Sequence, residues 1–156
     1  MEKMIKQEDF LNNLFSLLDE TFENHHGHYL DEGTSLFETL GTVSAQEASI
    51  PVGGKCASLA AQVAHVTFYM EVLERIVMFN DTSRADWGEI WRTVEKVTPA
   101  EWDNYKLKLE QTYRRIEKIF RENPVWNEDT VGGAMAILVH TAYHLGEIRQ
   151  ALCTLK

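Results

Sequence analysis

The sequence predicts an all-α protein: a four-helix bundle with long crossover connections. Three observations lead there. Four segments place apolar residues at three- and four-residue spacing, and no segment alternates with the period of a strand. The three prolines, Pro51, Pro99 and Pro124, fall at expected element boundaries. Two of the connections are long, which permits a crossover in place of simple up-down order.

The first helix is expected from about Gln7 to about His26. Phe10, Leu14, Leu17, Leu18 and Thr21 recur at helical spacing, and Gly27 can take the left-handed conformation that ends helices. A long connection follows, from His28 to about Ala57. Within it SLFETL suggests a short helix, SAQE at Ser44 to Glu47 forms a capping box, and Pro51-Val-Gly-Gly breaks regular structure.

The second helix is expected from about Ser58 to Asn80. Leu59, Val63, Val66, Met70, Leu73 and Val77 make one apolar stripe, and Ala61, His65, Phe68, Tyr69, Val72 and Ile76 make an adjacent one. Together they cover more than half the circumference, which marks a central helix packed against at least two others. A second connection, Asp81 to Thr98, carries Trp87 and Trp91.

The third helix opens on TPAE, with Thr98 as cap, Pro99 at the first helical position and Glu101 closing the box. Trp102, Tyr105, Leu109, Tyr113, Ile116 and Phe120 form its stripe. The turn ENPVWN is short, so the third and fourth helices are expected to be antiparallel neighbours. Asn127 is the expected cap of the fourth helix, which continues to about Cys153.

The chain has 156 residues, the size of one domain, here spanning 1–156. A formal net charge of -9 argues against nucleic acid or an anionic membrane as partner, since both attract basic patches. No apolar run approaches the ~20 residues of a membrane span, and MEKMIKQEDF lacks the apolar core of a secretory signal. Cys56 and Cys153 are too few for a disulfide framework. A reducing, cytoplasmic setting is the expectation.

The stretch HTAYHLGEIRQ, His140 to Gln150, holds two histidines one helical turn apart. With His140 at 0° on a helical wheel, His144 falls at about 40° and Ile137 at about 60°, so the pair borders the buried arc. Gly133 and Ala151 share that sector, and their small size leaves room for something other than side chain. Two imidazoles so placed can aim at one ion, but the first His is not followed by Glu, so the HExxH protease motif is absent. A useful site needs a third ligand. His65 is the candidate, because it lies mid-helix on a broad apolar arc and must face inward. The alternative is that each imidazole is a buried group satisfied by an ordinary hydrogen bond.

Other residues carry competing readings. In NHHGHY, His25, His26 and His28 resemble a metal cluster, but they sit at a helix end, where histidine suits the dipole. His28 can still reach the mouth of a site, as a substrate contact or as support for a ligand. Tyr69, on the arc of His65, is a candidate of the same kind. Glu147 falls at about -20°, beside the pair, and can orient an imidazole, act as a catalytic base or be merely solvated. Trp87, Trp91 and Trp126 are either packing groups or substrate contacts. Cys56 and Cys153 face away from the histidines on the same wheel and are rejected as ligands.

SLAAQVAHVTFYMEVL, followed much later by AILVHTAYHLGEIRQAL, resembles the DinB/YfiT-like family, the damage-inducible DinB proteins. SLFETLGTVSAQEASIPVGG, ADWGEIW and VTPAEWD look like the connecting segments of one branch, so the resemblance covers nearly the whole chain. It implies a crossover four-helix bundle, a dimer in many members, with a metal held by His65, His140 and His144. It also implies thiol chemistry, since characterised relatives include thiol-dependent S-transferases and a maleylpyruvate isomerase.

On this reading the chain is a metal-dependent transferase or hydrolase of a small-molecule substrate. Three neutral imidazoles would hold Zn, Ni or Fe without cancelling its charge, so that a water or a low-molecular-weight thiol is acidified. The contrasting expectation is a non-enzymatic metal-binding stress protein or a dimeric interaction module.

Overall fold

The computed structural model describes residues 4–54, 56–123 and 125–155. The boundary expected at Pro124 lies outside them. Seven α-helices and no strand occur among the described residues. They are α1 (Gln7–Phe22), α2 (Leu36–Gly41), α3 (Ala45–Ala48), α4 (Leu59–Phe79), α5 (Glu89–Thr93), α6 (Pro99–Glu122) and α7 (Glu128–Leu155), with a 3-10 turn at Val52–Gly54. No single helix among these residues is long and apolar enough to cross a membrane.

Helix α1 buries Leu14, Leu18 and Phe22, as its spacing requires. It stops at Phe22, four residues short of the expected end. The cause is Glu20, which is fully buried. Its carboxylate accepts the backbone N–H groups of His28 (2.9 Å), Tyr29 (3.0 Å) and Leu30 (2.8 Å), so the chain must fold back over the last turn. Gly27, at φ 79°, makes the reversal.

The short helices follow their caps. Ser35 with Glu38 and Ser44 with Glu47 each close a capping box, which satisfies N–H groups that a helix start leaves free. In the 3-10 turn Gly53 and Gly54 both have positive φ, a conformation that other residues rarely adopt.

Helix α4 is central. Ser58 caps its start by accepting from Ala61 N–H, and Asn80 ends it in the left-handed conformation at φ 51°. Its buried residues include Leu59, Val63, Val66, Met70 and Val72 from both predicted stripes. Those two faces pack on α6 and α7. Helix α6 begins at the expected Thr98–Glu101 box and buries Trp102, Leu109, Tyr113, Ile116 and Phe120. The Trp102 indole donates to the Val43 carbonyl at 2.8 Å, pinning the first connection to α6. Asn127 caps α7 by accepting from Thr130 N–H at 3.0 Å.

One neighbour relation differs from expectation. Helices α6 and α7 pack chiefly on α4, and α7 also on α1, rather than on each other. Trp126, in the turn between them, sets its ring against Phe15 of α1 and Phe120 of α6. Phe22 of α1 stacks on Tyr113 of α6 at 4.0 Å between ring centres, and Arg114 of α6 pairs with Glu23 just past α1. The end of α1 thus reaches α6 through these side chains. The second connection also contains α5, which brings Trp91 back against α4 and α7.

Candidate metal centre

His65 comes from the middle of α4, and His140 and His144 from successive turns of α7. His65 and His144 are buried and His140 is half-buried. One ring nitrogen from each lies within 4.8 Å of the others. The Nε2 atoms of His65 and His140 stand 3.2 Å apart. Two nitrogens bound to one ion at about 2.0–2.1 Å in tetrahedral geometry stand roughly 3.3 Å apart. The observed separation therefore suits two ligands of one ion as well as it suits a hydrogen bond between neutral rings.

All three imidazoles are held neutral. Burial pushes His140 down to about 3, with His144 and His65 adding to the shift. Burial likewise takes His65 down to about 4, with His144 adding to it and Glu147 opposing it. Burial also lowers His144, against an opposing pull from the Glu147 carboxylate. A neutral imidazole offers the lone pair that a metal needs.

The surroundings of the rings differ. His144 Nδ1 lies 2.6 Å from Gln62 Oε1 and 2.8 Å from Glu147 Oε2. Either acceptor places the proton on Nδ1 and turns Nε2 toward the other histidines. Glu147 thus orients an imidazole, one of the roles its wheel position allowed. Nδ1 of His65 and Nδ1 of His140 are buried without hydrogen-bond partners. These two rings are positioned by stacking. Tyr69 lies flat on His140, with ring centres 3.6 Å apart and planes 7° apart. Trp91 covers His65 at 4.4 Å. Trp87 in turn packs on Phe68 and Tyr69.

The donor set fits a divalent ion of borderline softness: three neutral nitrogens, one firmly oriented, on two helices locked together by the core. The helices approach closely at Gly133. A Cβ there would lie 2.5 Å from Val77 Cγ2. The room expected at Gly133 is therefore filled by Val77 of α4. At Ala151 the expectation holds, because that residue borders a cleft described below.

His28 is engaged elsewhere. Its Nε2 meets Ser16 Oγ at 2.8 Å and its N–H meets Glu20, while His26 pairs with Asp19 and His25 is exposed. No contact links this cluster to the three histidines among the described residues. Cys56 and Cys153 are free and exposed, outside the donor set.

Two residues of the centre were not singled out as parts of it from sequence: Gln62 as a partner of His144, and Trp91 as a cover for His65. Gln62 did carry a signal, as a polar side chain one turn before His65 on a helix otherwise apolar on that side. Trp91 carried none, since its approach depends on how the second connection folds.

Comparison with family models, with curated proteins and with solved structures finds no match for this chain.

Proposed function

We propose that His65, His140 and His144 bind one divalent metal ion, and that the protein is a metal-dependent enzyme of the DinB/YfiT-like kind acting on a small molecule. The observation that carries this reading is the convergence of three neutral imidazoles from two packed helices within 4.8 Å. A divalent ion held by three neutral ligands keeps its charge and so acidifies a water or a low-molecular-weight thiol set against it. The reaction is then transfer of a thiol to an electrophile, or hydrolysis of one. The metal is Zn, Ni or Fe, all of which suit imidazole donors.

The protein's own groups have definable parts. Gln62 and Glu147 hold the His144 ring. Tyr69 and Trp91 hold the other two rings and shield them from water. Trp91 is 39% exposed, so its outer face is available to a substrate. The long helices α1, α4, α6 and α7 around one shared core support a four-helix bundle with crossover connections. Exposed Met135, Val139 and Tyr143 form a stripe on α7 that supports a homodimer. Two free exposed cysteines agree with a reducing cytoplasm. The net charge of -9 disfavours nucleic acid and anionic membranes.

The test is metal content of the purified protein beside His65→Ala and His140→Ala, with helicity checked by circular dichroism. Loss of metal in both variants with helicity retained supports one shared site; a His65→Ala variant that binds as wild type sinks it. Conjugation of a thiol to small electrophiles, dependent on metal and abolished in His144→Ala, separates an enzyme from a binding protein. Engagement of Glu147 with His144 favours a second reading, a non-enzymatic metal-binding stress protein or dimeric interaction module, because that carboxylate then orients a ring in place of serving as a catalytic base. Metal binding without turnover across a broad panel of electrophiles is its expected result.

A further inference from the structure

A cleft of about 500 Å³ lies between the 3-10 turn, the start of α4 and the C-terminal half of α7. This is within the size range of small-molecule sites, roughly 300–1,000 Å³. Val52, Ala57 and Ala151 give it apolar walls. Its polar side chains are Gln62 of α4 and Tyr143, Glu147, Gln150 and Thr154 of α7, with Cys56 next to the 3-10 turn. Gln62 and Glu147 are also the two groups that meet His144 Nδ1, so the cleft backs onto the three-histidine cluster without including it.

Among the described residues the charge in this cleft is one-sided. Glu147 is its only acidic residue, and no Lys, Arg or His lines it among the described residues. The Glu147 side chain is 37% exposed. Two donors reach its carboxylate, His144 Nδ1 and the Tyr143 hydroxyl. A carboxylate has about four lone-pair sites, so it can accept from further donors. Apolar groups beside it lower the local dielectric, which strengthens a charge-assisted hydrogen bond. A carboxylate or phosphate ligand would meet Glu147 with like charge and, among the described residues, no compensating cation. A neutral apolar molecule would leave the carboxylate's remaining capacity unfilled.

We propose that this cleft is a binding site for a small apolar organic ammonium, a compact hydrocarbon or aromatic body carrying a primary or secondary amine, with its N–H donors on Glu147 and its body against Val52, Ala57 and Ala151. The inference goes beyond the metal reading and does not require it, since every group it uses belongs to the protein. Gln62 supplies the second polar contact, and Gly146 forms part of the rim.

The test uses metal-free full-length protein at neutral pH, titrated with benzylamine, phenylacetate and benzyl alcohol at millimolar concentration and followed by backbone amide NMR shifts. Benzylamine is expected to shift residues of the 3-10 turn and of α7 around Glu147. It should bind at least about tenfold more tightly than either of the other two probes, a difference of about 1.4 kcal/mol. Glu147→Gln preserves shape and removes the charge, and should weaken benzylamine by a similar factor while leaving benzyl alcohol unchanged. Gly146→Leu should block all three probes, and a Cβ at Gly146 meets no atom within 4 Å, so that variant can fold. The proposal is wrong if no probe binds, if phenylacetate binds as well as benzylamine, if Glu147→Gln retains wild-type benzylamine affinity, or if the shifts map away from the cleft. Metal content of the His65 variant is measured separately, so either reading can fail without the other.

Discussion

Gln62 of α4 and His144 of α7 meet at 2.6 Å, Oε1 to Nδ1, across the interface between the two helices that carry the candidate ligands. This contact ties the helix bearing His65 to the ring of His144. Replacing Gln62 by Ala frees the ring on that side and leaves Glu147 as its partner. Loss of such an outer contact typically lowers metal affinity about 10–100-fold. The expected result for Gln62→Ala is a drop near the lower end of that range, measured by competition with a chelator. Gln62→Glu restores an acceptor and should recover most of the loss; if Gln62→Ala binds metal as wild type does, the contact has no part in the site.

Acid should weaken the metal-free protein before most of its carboxylates titrate. His65 and His140 titrate near 4 and 3 when folded, and His144 also lies below its ordinary value of 6.5. Unfolded histidine titrates at about 6.5, so below that pH the unfolded chain binds more protons than the folded one. Stability from these groups is therefore fully present above about pH 6.5 and declines as pH falls toward 4 and 3. Urea midpoints between pH 7 and 4.5 should fall for wild type and fall less for His140→Phe. Parallel slopes would show that the buried imidazoles do not govern the acid limb.

At Gly133 a methyl group would lie 2.5 Å from Val77 Cγ2. Valine is stiff at its first side-chain torsion, so it cannot swing clear without leaving its preferred rotamer. Overpacking of this kind costs about 1–3 kcal/mol, against roughly 1 kcal/mol that Ala gains over Gly inside a helix. Gly133→Ala should therefore destabilise the protein on the order of 1 kcal/mol. Adding Val77→Ala should recover part of that loss in a urea-unfolding cycle. Additive single effects would mean that the two residues do not press on one another.

Glu20 makes a different demand. Its two oxygens satisfy three backbone N–H groups from the segment after α1. Glu20→Ala strands all three and should destabilise by about 3 kcal/mol or more, at roughly 1–3 kcal/mol for each buried donor left unpaired. In Glu20→Gln one oxygen still accepts from Tyr29 and Leu30, but the amide nitrogen faces the His28 N–H. Its loss should be intermediate. Equal loss in both variants would show that the charge, and not the pattern of acceptors, anchors the segment.

The long helices were legible in the sequence because their local signals agree. Thr98 and Asn127 cap where expected, α4 starts at its expected boundary by Ser58, and the apolar stripes of α4 and α6 face the core. The end of α1 was not legible, because a fully buried Glu20 cannot be told from a surface acid in a run of polar residues. Neither was the packing order of α6 and α7, which depends on Trp126 settling between Phe15 and Phe120. Of the site, the three histidines could be placed by helical spacing and resemblance, since ligand direction follows from position on a helix. Trp91 could not, because it approaches through a connection whose path is set by tertiary contacts alone. The room inferred at Gly133 failed for a related reason: a wheel shows which sector a residue occupies but not which neighbour enters it.

His65 and His140 are 75 residues apart in the chain and share a single contact between ring nitrogens. An ion bound there would act as a reversible cross-link, clasping α4 to α7 around everything between them. Closing so long a loop removes chain entropy chiefly from the unfolded ensemble. Occupancy and folding would then be linked, with stability rising as RT ln(1 + [M]/Kd). A melting curve recorded against free metal concentration would report the affinity of the centre without any substrate being known.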